Sequence, residues 1–463
     1  MRPKQPVALL PCLLLIAGIM LADAGPGPGG SPEPPGWYAG DPHVHVDCGI
    51  GSGHDPMTDV QMLAEMRARG LAVVSLLADM GNGEVRFAEK DLPRVNGKDF
   101  SGSDARSVLH WDAEWHFDPR GVTFEQKAIG GHLIVLGLKQ VSRMYDDYTY
   151  PIIEWAKRQG AIVGYAHMQY LPEDIPAELS CCLPLEYPVE TALHTIDFLM
   201  EDVDGSESAM LAYYRLLNCG FRPGLAAGTD FPCNFRKPIG SLLTYVFIPN
   251  GQLNYRDWIE GIAKGRTVVS RNGHEEFLDL RVNGTAGPGD EIRLGSGGTV
   301  QVSVGWSATR ELSGTIELVS NGKVVAAQKG TAGPGSPLVL TTSHNFRRSG
   351  WLCARRMDAR GHQTHTAAVF VTVGRAPVRT SATDAEFFVR YIDSLILKTS
   401  PGGEWNQYFG QGLAAAQSKY RQARLIFGKI AAEARAADPG GGLAEESRVD
   451  PIRQDIEVPL FRR

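Results

Sequence analysis

The chain has 463 residues, 43% hydrophobic and 21% charged, with a net charge of −6 and a sequence pI near 6.1. That length exceeds one ordinary core and points to two or three domains, and the balance excludes a disordered or fibrous chain. No Lys/Arg run interleaves with aromatics, which argues against nucleic acid as a partner.

Residues 1–24 read as a signal peptide. Arg2 and Lys4 give a basic start, Val7 to Leu21 is an apolar run, and Ala22-Asp23-Ala24 supplies a small-x-small cleavage pattern. The run is short for a membrane span and contains Pro11, and no later stretch is long and apolar enough to be one. The expectation is an exported chain, periplasmic or secreted, with no stable membrane span after signal cleavage; an uncleaved anchor is the alternative. Cys12 sits inside the apolar run, which weakens a lipoprotein reading. Cleavage leaves Cys48, Cys181, Cys182, Cys219, Cys233 and Cys353. Export permits disulfides, but these spacings fix no connectivity and match no zinc knuckle. Residues 25–36 form a Pro/Gly linker with no capacity to pack.

Globular composition begins at Trp37 and the first domain is expected over 37–275. It opens with Gly-Asp-Pro-His-Val-His-Val-Asp, in which an extended backbone puts His43 and His45 on one face. Two imidazoles with carboxylates nearby are a common start of a metal site. Asp59 to Arg69 carries a helical apolar stripe, Gly70 stops it, and Leu71 to Ala78 is a buried strand ended by Asp79. Leu133 to Leu138 is another strand, with His132 at its start. The helix–strand unit recurs at Tyr150 to Arg158, Gly160 and Ala161 to Tyr165, followed by His167. It recurs again at Ala209 to Asn218, Gly220 and Gly224 to Ala227, followed by Asp230 in Gly-Thr-Asp. Such alternation predicts an α/β domain with a largely parallel sheet, and in barrels of that kind chemistry collects at the C-terminal strand ends. Any one of Asp79, His167 and Asp230 alone reads as a cap or a loop residue. Three together, beside an H-x-H, point to a site.

After Ser270 the composition changes. Residues 276–375 alternate short β-type segments with Gly, Asn, Pro and Ser turns, the pattern of a β-sandwich, with Asn283-Gly284 and Asn321-Gly322 as hairpin turns. Its histidines, His344, His362 and His365, have no carboxylate pattern around them and read as surface residues. Residues 376–436 turn helical, with apolar stripes over Glu386 to Lys398 and Leu413 to Ala436 that need another domain to pack on. Residues 437–463 read as a disordered tail.

On these residues the first domain resembles the PHP-type metallohydrolases, in particular the CehA/McbA branch named for carbaryl hydrolysis. The likeness is carried by Trp37 to His45, Gly70 to Asp79, Glu114, Gly131-His132-Leu133, Ala166-His167 and Gly228-Thr229-Asp230-Phe231. It continues through Gly265 to Val269, Leu280 to Gly284 and Phe387 to Asp393. The resemblance implies a distorted β/α barrel with a multinuclear metal centre at its strand ends. His43, His45, Glu114 and Asp230 would hold one metal, and Glu114, bridging, a second with His132 and His167. Where the family pattern has Asp-His and Asp-x-His, this chain has Asp79-Met80 and Asp230-Phe231-Pro232. A thioether is a poor ligand for hard divalent ions and a proline ring is none, so one or two metals are expected, not three. His54 then reads as a surface residue.

Histidine and carboxylate donors suit divalent zinc or manganese, with iron third. Such a centre activates water for hydrolysis of an ester, carbamate or phosphoester in a small-molecule substrate. Glu114, Asp230 and Asp79 are the catalytic candidates: Asp230 or Asp79 at the rim would accept the water's proton, although Asp230 is better read as a ligand. The absence of G-x-S-x-G disfavours a serine hydrolase. One alternative is a phosphoesterase, for which Arg86, Lys90 and Arg236-Lys237 are candidate phosphate contacts. Another is a degenerate scaffold, marked by Met80 and Pro232, whose β-domain binds a glycan or protein. His110, Trp111, Trp115 and His116, around Glu114, read equally as pocket lining or as loop packing. His194 reads as a structural helix residue and Glu186 as a support behind the site. Oligomeric state is not legible in the sequence.

Overall fold

The computed structural model describes residues 30–47, 56–80, 88–116, 131–141, 149–179, 182–201, 208–233, 237–408 and 412–438. The signal segment, Cys48, His54, Arg86, Cys181, Arg236 and the tail beyond Asp438 lie outside the described residues.

Strand β1 (Trp37–Val44) precedes α1 (Asp59–Ala68) and β2 (Val73–Met80). Thr58 starts α1 with a capping box, accepting from Gln61 N–H at 3.3 Å while its own N–H donates to Gln61 Oε1 at 2.9 Å. A short α2 (Ala88–Asp91) leads to β3 (Val108–His116) and β4 (His132–Leu136). Then come α3 (Tyr150–Gln159), β5 (Ile162–Tyr165), α4 (Tyr187–Ala192), β6 (Phe198–Glu201), α5 (Ser208–Asn218) and β7 (Gly224–Ala227). Strand β8 (Leu243–Phe247), α6 (Tyr255–Ala263) and β9 (Thr267–Ser270) complete this part. Gly160 ends α3 at φ 82, a left-handed stop that only glycine enters freely.

The strand order is β9-β8-β1-β2-β3-β4-β5-β6-β7. The pairs β1/β2, β2/β3, β5/β6 and β6/β7 are parallel. The pairs β1/β8, β8/β9, β3/β4 and β4/β5 are antiparallel. The sheet is therefore mixed, not largely parallel: β4 lies alongside β3 in the opposite sense, and β8 runs against β1.

Strand ladders do not close this sheet into a barrel among the described residues, because β7 ends the pairing path. The sheet curves enough, however, to bring β7 back to its other side. Thr244 Oγ1 bonds both the N–H and C=O of Ala227 at 2.8 Å, and Thr267 Oγ1 donates to Leu225 O at 2.7 Å. Beyond β7, Asp230 N–H donates to His43 O at 2.9 Å and His45 N–H to Phe231 O at 2.6 Å. Val73, Leu77, Val108, Ile134, Leu136, Phe198 and Val246 face Tyr255, Trp258, Ile259 and Ile262 of α6 in one apolar cluster. Helix α6 thus fills the inner face at the end away from β1's histidines. Gly224 permits that approach, since a Cβ there would meet Ile262 O at 2.0 Å.

The rest of the chain is β-rich and then helical. Strands β10 (Glu276–Val282), β11 (Glu291–Leu294), β12 (Gly298–Ala308), β13 (Leu312–Ser320) and β14 (Lys323–Ala332) are followed by β15 (Leu338–Phe346), β16 (Gly350–Asp358), β17 (Gly361–Thr366) and β18 (Val369–Val373). One sheet is β10-β12-β15, and the others join the first sheet where β17 pairs with β9. Asn321 and Gly322, at φ 50 and 85, make the two-residue turn between β13 and β14. His362 and His365 are fully buried, which corrects the surface reading. His362 Nε2 lies 3.2 Å from Glu201 Oε1, and His365 Nε2 lies 2.7 Å from Tyr214 Oη. Helices α7 (Ala382–Thr399) and α8 (Leu413–Ala437) pack through Phe388 and Phe427, with ring centroids 4.6 Å apart. Tyr420 anchors α8 to the first part by donating to Glu186 Oε1 at 2.6 Å. No helix among the described residues is long and apolar enough to cross a membrane.

Candidate metal centre

The candidate residues come from five segments that end at one rim of the curved sheet. His43 is in β1 and His45 one residue past it, beyond a register shift between Asp41 and Val44. Glu114 and His116 lie two apart on β3 and so share a face. Because β4 runs antiparallel, its first residue, His132, sits directly opposite His116. His167 follows β5 at φ 59 and Asp230 follows β7 at φ 54. Both occupy the left-handed region that non-glycine residues visit sparingly.

Glu114 is the hub. Its Oε2 lies 3.2 Å from His43 Nε2 and 3.0 Å from His45 Nε2. Asp230 Oδ1 is 3.3 Å from the first of these nitrogens and 3.6 Å from the second. Four donors bound to one zinc-like ion at about 2.0–2.1 Å would stand about 3.3–3.4 Å apart at the corners of a tetrahedron. The observed spacings bracket that edge, so these residues fit a divalent cation. One buried atom adds to the fit: His45 Nε2 has no hydrogen-bond partner among the described residues. His45 Nδ1 faces the carbonyl of Leu77 at 3.1 Å. A carbonyl only accepts, so the ring proton sits on Nδ1 and the Nε2 lone pair is left for a ligand role.

On the other side of the hub, His132 Nδ1 lies 3.0 Å from Glu114 Oε1 and 2.8 Å from His167 Nε2, and His167 Nε2 is 3.8 Å from the same oxygen. Burial alone would push the Glu114 carboxyl up, but the His43 and His116 imidazoles and hydrogen bonds from His116 and His132 hold it well below the usual carboxylate range. Burial, with His116 beside it, pushes His132 well below the ordinary imidazole value. Asp230 is raised by burial against the pull of His43 and His167. The centre is closed on most sides: the Asp230 and Asp79 side chains are 16% and 21% exposed, while His43 and Glu114 are almost wholly buried.

The six expected ligands, His43, His45, Glu114, His132, His167 and Asp230, thus share one centre, and Asp79 stands at its edge. Cys182 also falls near His132 and His167, but it is disulfide-bonded and offers no thiolate. Met80 is fully buried and apolar. Lys90 is ion-paired with Asp47 at 2.7 Å. Glu186 is bound instead to Thr149 and Tyr420. His194 is exposed and lies just beyond α4 at φ 56, so it does not pack as a helix residue.

Two features were not assigned to the centre from the sequence. The residues around Glu114 form no loop: His110, Trp111, Trp115 and His116 are buried on β3. His110 stacks on Tyr255 at 3.8 Å, away from the centre. His116 belongs to it, with Nε2 3.2 Å from Glu114 Oε2 and 3.4 Å from Asp79 Oδ1. The second feature is Asp41. Its Oδ2 accepts from Thr229 Oγ1 at 2.6 Å and Gly240 N–H at 3.0 Å, and its Oδ1 from Thr229 N–H at 3.0 Å and His43 N–H at 3.3 Å. It ties the H-x-H strand to the residue before Asp230.

No family model matches the chain, and no curated protein matches it. Among solved structures, it is similar to the CARDB domain of the PF1109 protein from Pyrococcus furiosus in complex with di-metal ions, at 16% identity and a TM-score of 0.16, over 21% of this chain and 90% of that one. It is also similar to an Endonuclease Q complex with a duplex bearing an abasic lesion, at 12% identity and a TM-score of 0.31. That match spans 50% of this chain and 57% of the other. At these TM-scores the likenesses carry no inference about this chain.

Proposed function

We propose that the protein is an exported metal-dependent hydrolase of the PHP type, in the CehA/McbA branch, acting on an ester, carbamate or phosphoester bond of a small molecule. The observation that carries this reading is the convergence of His43, His45, Glu114 and Asp230 at ligand-to-ligand spacing around one buried point. Convergence with a partly exposed member favours a working site over a degenerate scaffold, in which the donors would be dispersed or sealed.

In this reading His43, His45, Glu114 and Asp230 hold one divalent cation and Glu114, His132 and His167 a second, with zinc and manganese the leading metals and iron the third. A cation so held would polarise a scissile carbonyl or phosphoryl oxygen and lower the pKa of a bound water to about 7. The protein's own groups do the rest. Leu77 O fixes the His45 tautomer, and Asp41 fixes the distance between β1 and Asp230. Asp79, at the open edge and not among those six ligands, is placed to take up a proton. The curved mixed sheet, joined across the β7 side through Asp230 and Phe231, fits a distorted barrel whose last closure is made by loop hydrogen bonds.

The test is elemental analysis of the purified chain beside His43→Ala and His167→Ala, with a screen of nitrophenyl esters, carbamates and phosphoesters. Two equivalents of zinc, manganese or iron, falling in both variants together with hydrolysis, is the expected result. A wild-type chain that takes up no metal on reconstitution would overturn the proposal.

A further inference from the structure

We propose that His116 is a metal ligand: with Glu114 and His132 it holds the second cation, and Asp79 closes that position from the rim. The inference rests on the hydrolase reading and adds to its ligand set a residue on neither the H-x-H strand nor the strand-end loops.

Three observations carry it. The first is register. Glu114 and His116 face the same way from β3, His132 is paired across from His116, and Asp79 on β2 is paired with Glu114. Two ladders thus deliver four donors to one patch of the sheet. The second is distance. The ligand atoms of Glu114, His116 and His132 all lie within 4.8 Å of one another, and His116 Nε2 is 3.2 Å from Glu114 Oε2 and 3.4 Å from Asp79 Oδ1. Those two separations match the roughly 3.3–3.4 Å edge between donors that share a zinc-sized ion, with Glu114 Oε2, which also lies beside His43 and His45, shared between the two positions. The third is proximity of the rings. His116 and His132 are immediate neighbours, with ring centroids 3.9 Å apart. The three side chains are buried, while Asp79 is the one that meets solvent.

The consequence is a second position richer in donors than Glu114, His132 and His167 alone would make it. It draws on Asp79, Glu114, His116, His132 and His167. Asp79 then has two competing roles, since bound to a cation it no longer takes up a proton.

The experiment is metal titration of the full chain with manganese and with zinc, by calorimetry and elemental analysis, on wild type, His116→Ala and His116→Phe. The phenylalanine variant keeps a ring to stack on His132 but has no donor, and thermal melting checks that each variant is folded. The expected result is that wild type binds two equivalents while both variants keep the first and lose the second by more than about 100-fold in affinity, beyond the 10–100-fold typical of removing an outer partner. Two equivalents of unchanged affinity in the variants would overturn the inference and leave the hydrolase reading standing. No metal in wild type would overturn both. A measurement needing no variant is the set of paramagnetically shifted imidazole N–H signals of the cobalt-loaded wild-type chain. Five ligated histidines are expected, and four would refute the role of His116.

Discussion

Asp41→Asn tests whether the centre is positioned by a residue that never touches a ligand atom. The change keeps the shape of the side chain, so its effect is a matter of donors and acceptors. Asp41 Oδ1 accepts from the N–H groups of Thr229 and His43, while Oδ2 accepts from Thr229 Oγ1 and Gly240 N–H. An amide nitrogen at Oδ1 would face two backbone donors. At Oδ2 it faces one, because the Thr229 hydroxyl can rotate to accept. The milder arrangement leaves Gly240 N–H buried and unpaired, about 1–3 kcal/mol. Part of that is offset, since burial already disfavours the Asp41 charge, pushing its carboxyl up to about 6. A net loss of about 1–2 kcal/mol and a melting temperature lower by a few degrees follow. The larger effect is on metal binding. Thr229 leads directly into Asp230, and the two segments pack so closely there that a Cβ on Gly228 would meet His43 Cβ at 2.7 Å. Loosening this joint is expected to weaken the first cation by about 10–100-fold, as for other groups that orient ligands. Calorimetric metal titration beside thermal melting measures both. A variant that melts a few degrees lower yet binds metal within twofold of wild type would refute the positioning argument.

Glu201→Gln strands Arg271, whose guanidinium is buried against Glu201 at 2.7 Å, and is expected to destabilise by about 3–5 kcal/mol without changing metal stoichiometry. Burial opposes the Glu201 charge, but Arg271 and His362 hold its carboxyl down to about 2. The stability it contributes is therefore present above the ordinary glutamate range and lost as pH falls toward 2, and melting curves of wild type and variant should draw together in acid. Glu190 behaves oppositely: burial and the Glu186 carboxylate push it up to about 8. Its contribution is full below the ordinary value near 4.5 and is lost as pH rises through 8. Glu190→Gln should thus melt higher than wild type at pH 9 and close to it at pH 5; equal melting at both would refute the assignment. Stripping metal with a chelator should lower the melting temperature, by the equivalent of about 2.7 kcal/mol relative to a hundredfold excess of metal over its dissociation constant. His43→Ala should lack most of that dependence.

What was legible in the sequence and what was not follows from the distance between partners. His43, His45, His167 and Asp230 could be read because each stands at or just beyond a strand whose apolar run is local. The ties that hold them are not local. Asp41 meets Thr229 across 188 residues, and His362 meets Glu201 across 161. No window of sequence contains both partners, so Asp41 passed as part of a motif and His362 as a surface residue. The mixed sense of the sheet was hidden for a similar reason: whether β4 runs with β3 or against it is decided by tertiary pairing, not by either strand's composition.

The local signal that went unread is strand β3 itself. From Val108 to His116 it alternates strictly after its first residue, with Leu109, Trp111, Ala113 and Trp115 on one face and His110, Asp112, Glu114 and His116 on the other. Alternation of this kind ordinarily marks a strand with one face in water. Here both faces are buried, so every polar side chain on the row needs a partner. Asp112 has the N–H groups of Gly137 and Leu138 and the Tyr255 hydroxyl, and His110 has Asp99. Asp112 is thus satisfied by the protein, and His110 is paired through Nδ1. At the end of the row Glu114 is ringed by imidazoles that outnumber the carboxylates. A polar row on an inner sheet face, satisfied at one end and left with lone pairs converging at the other, is what a cation site requires of a strand.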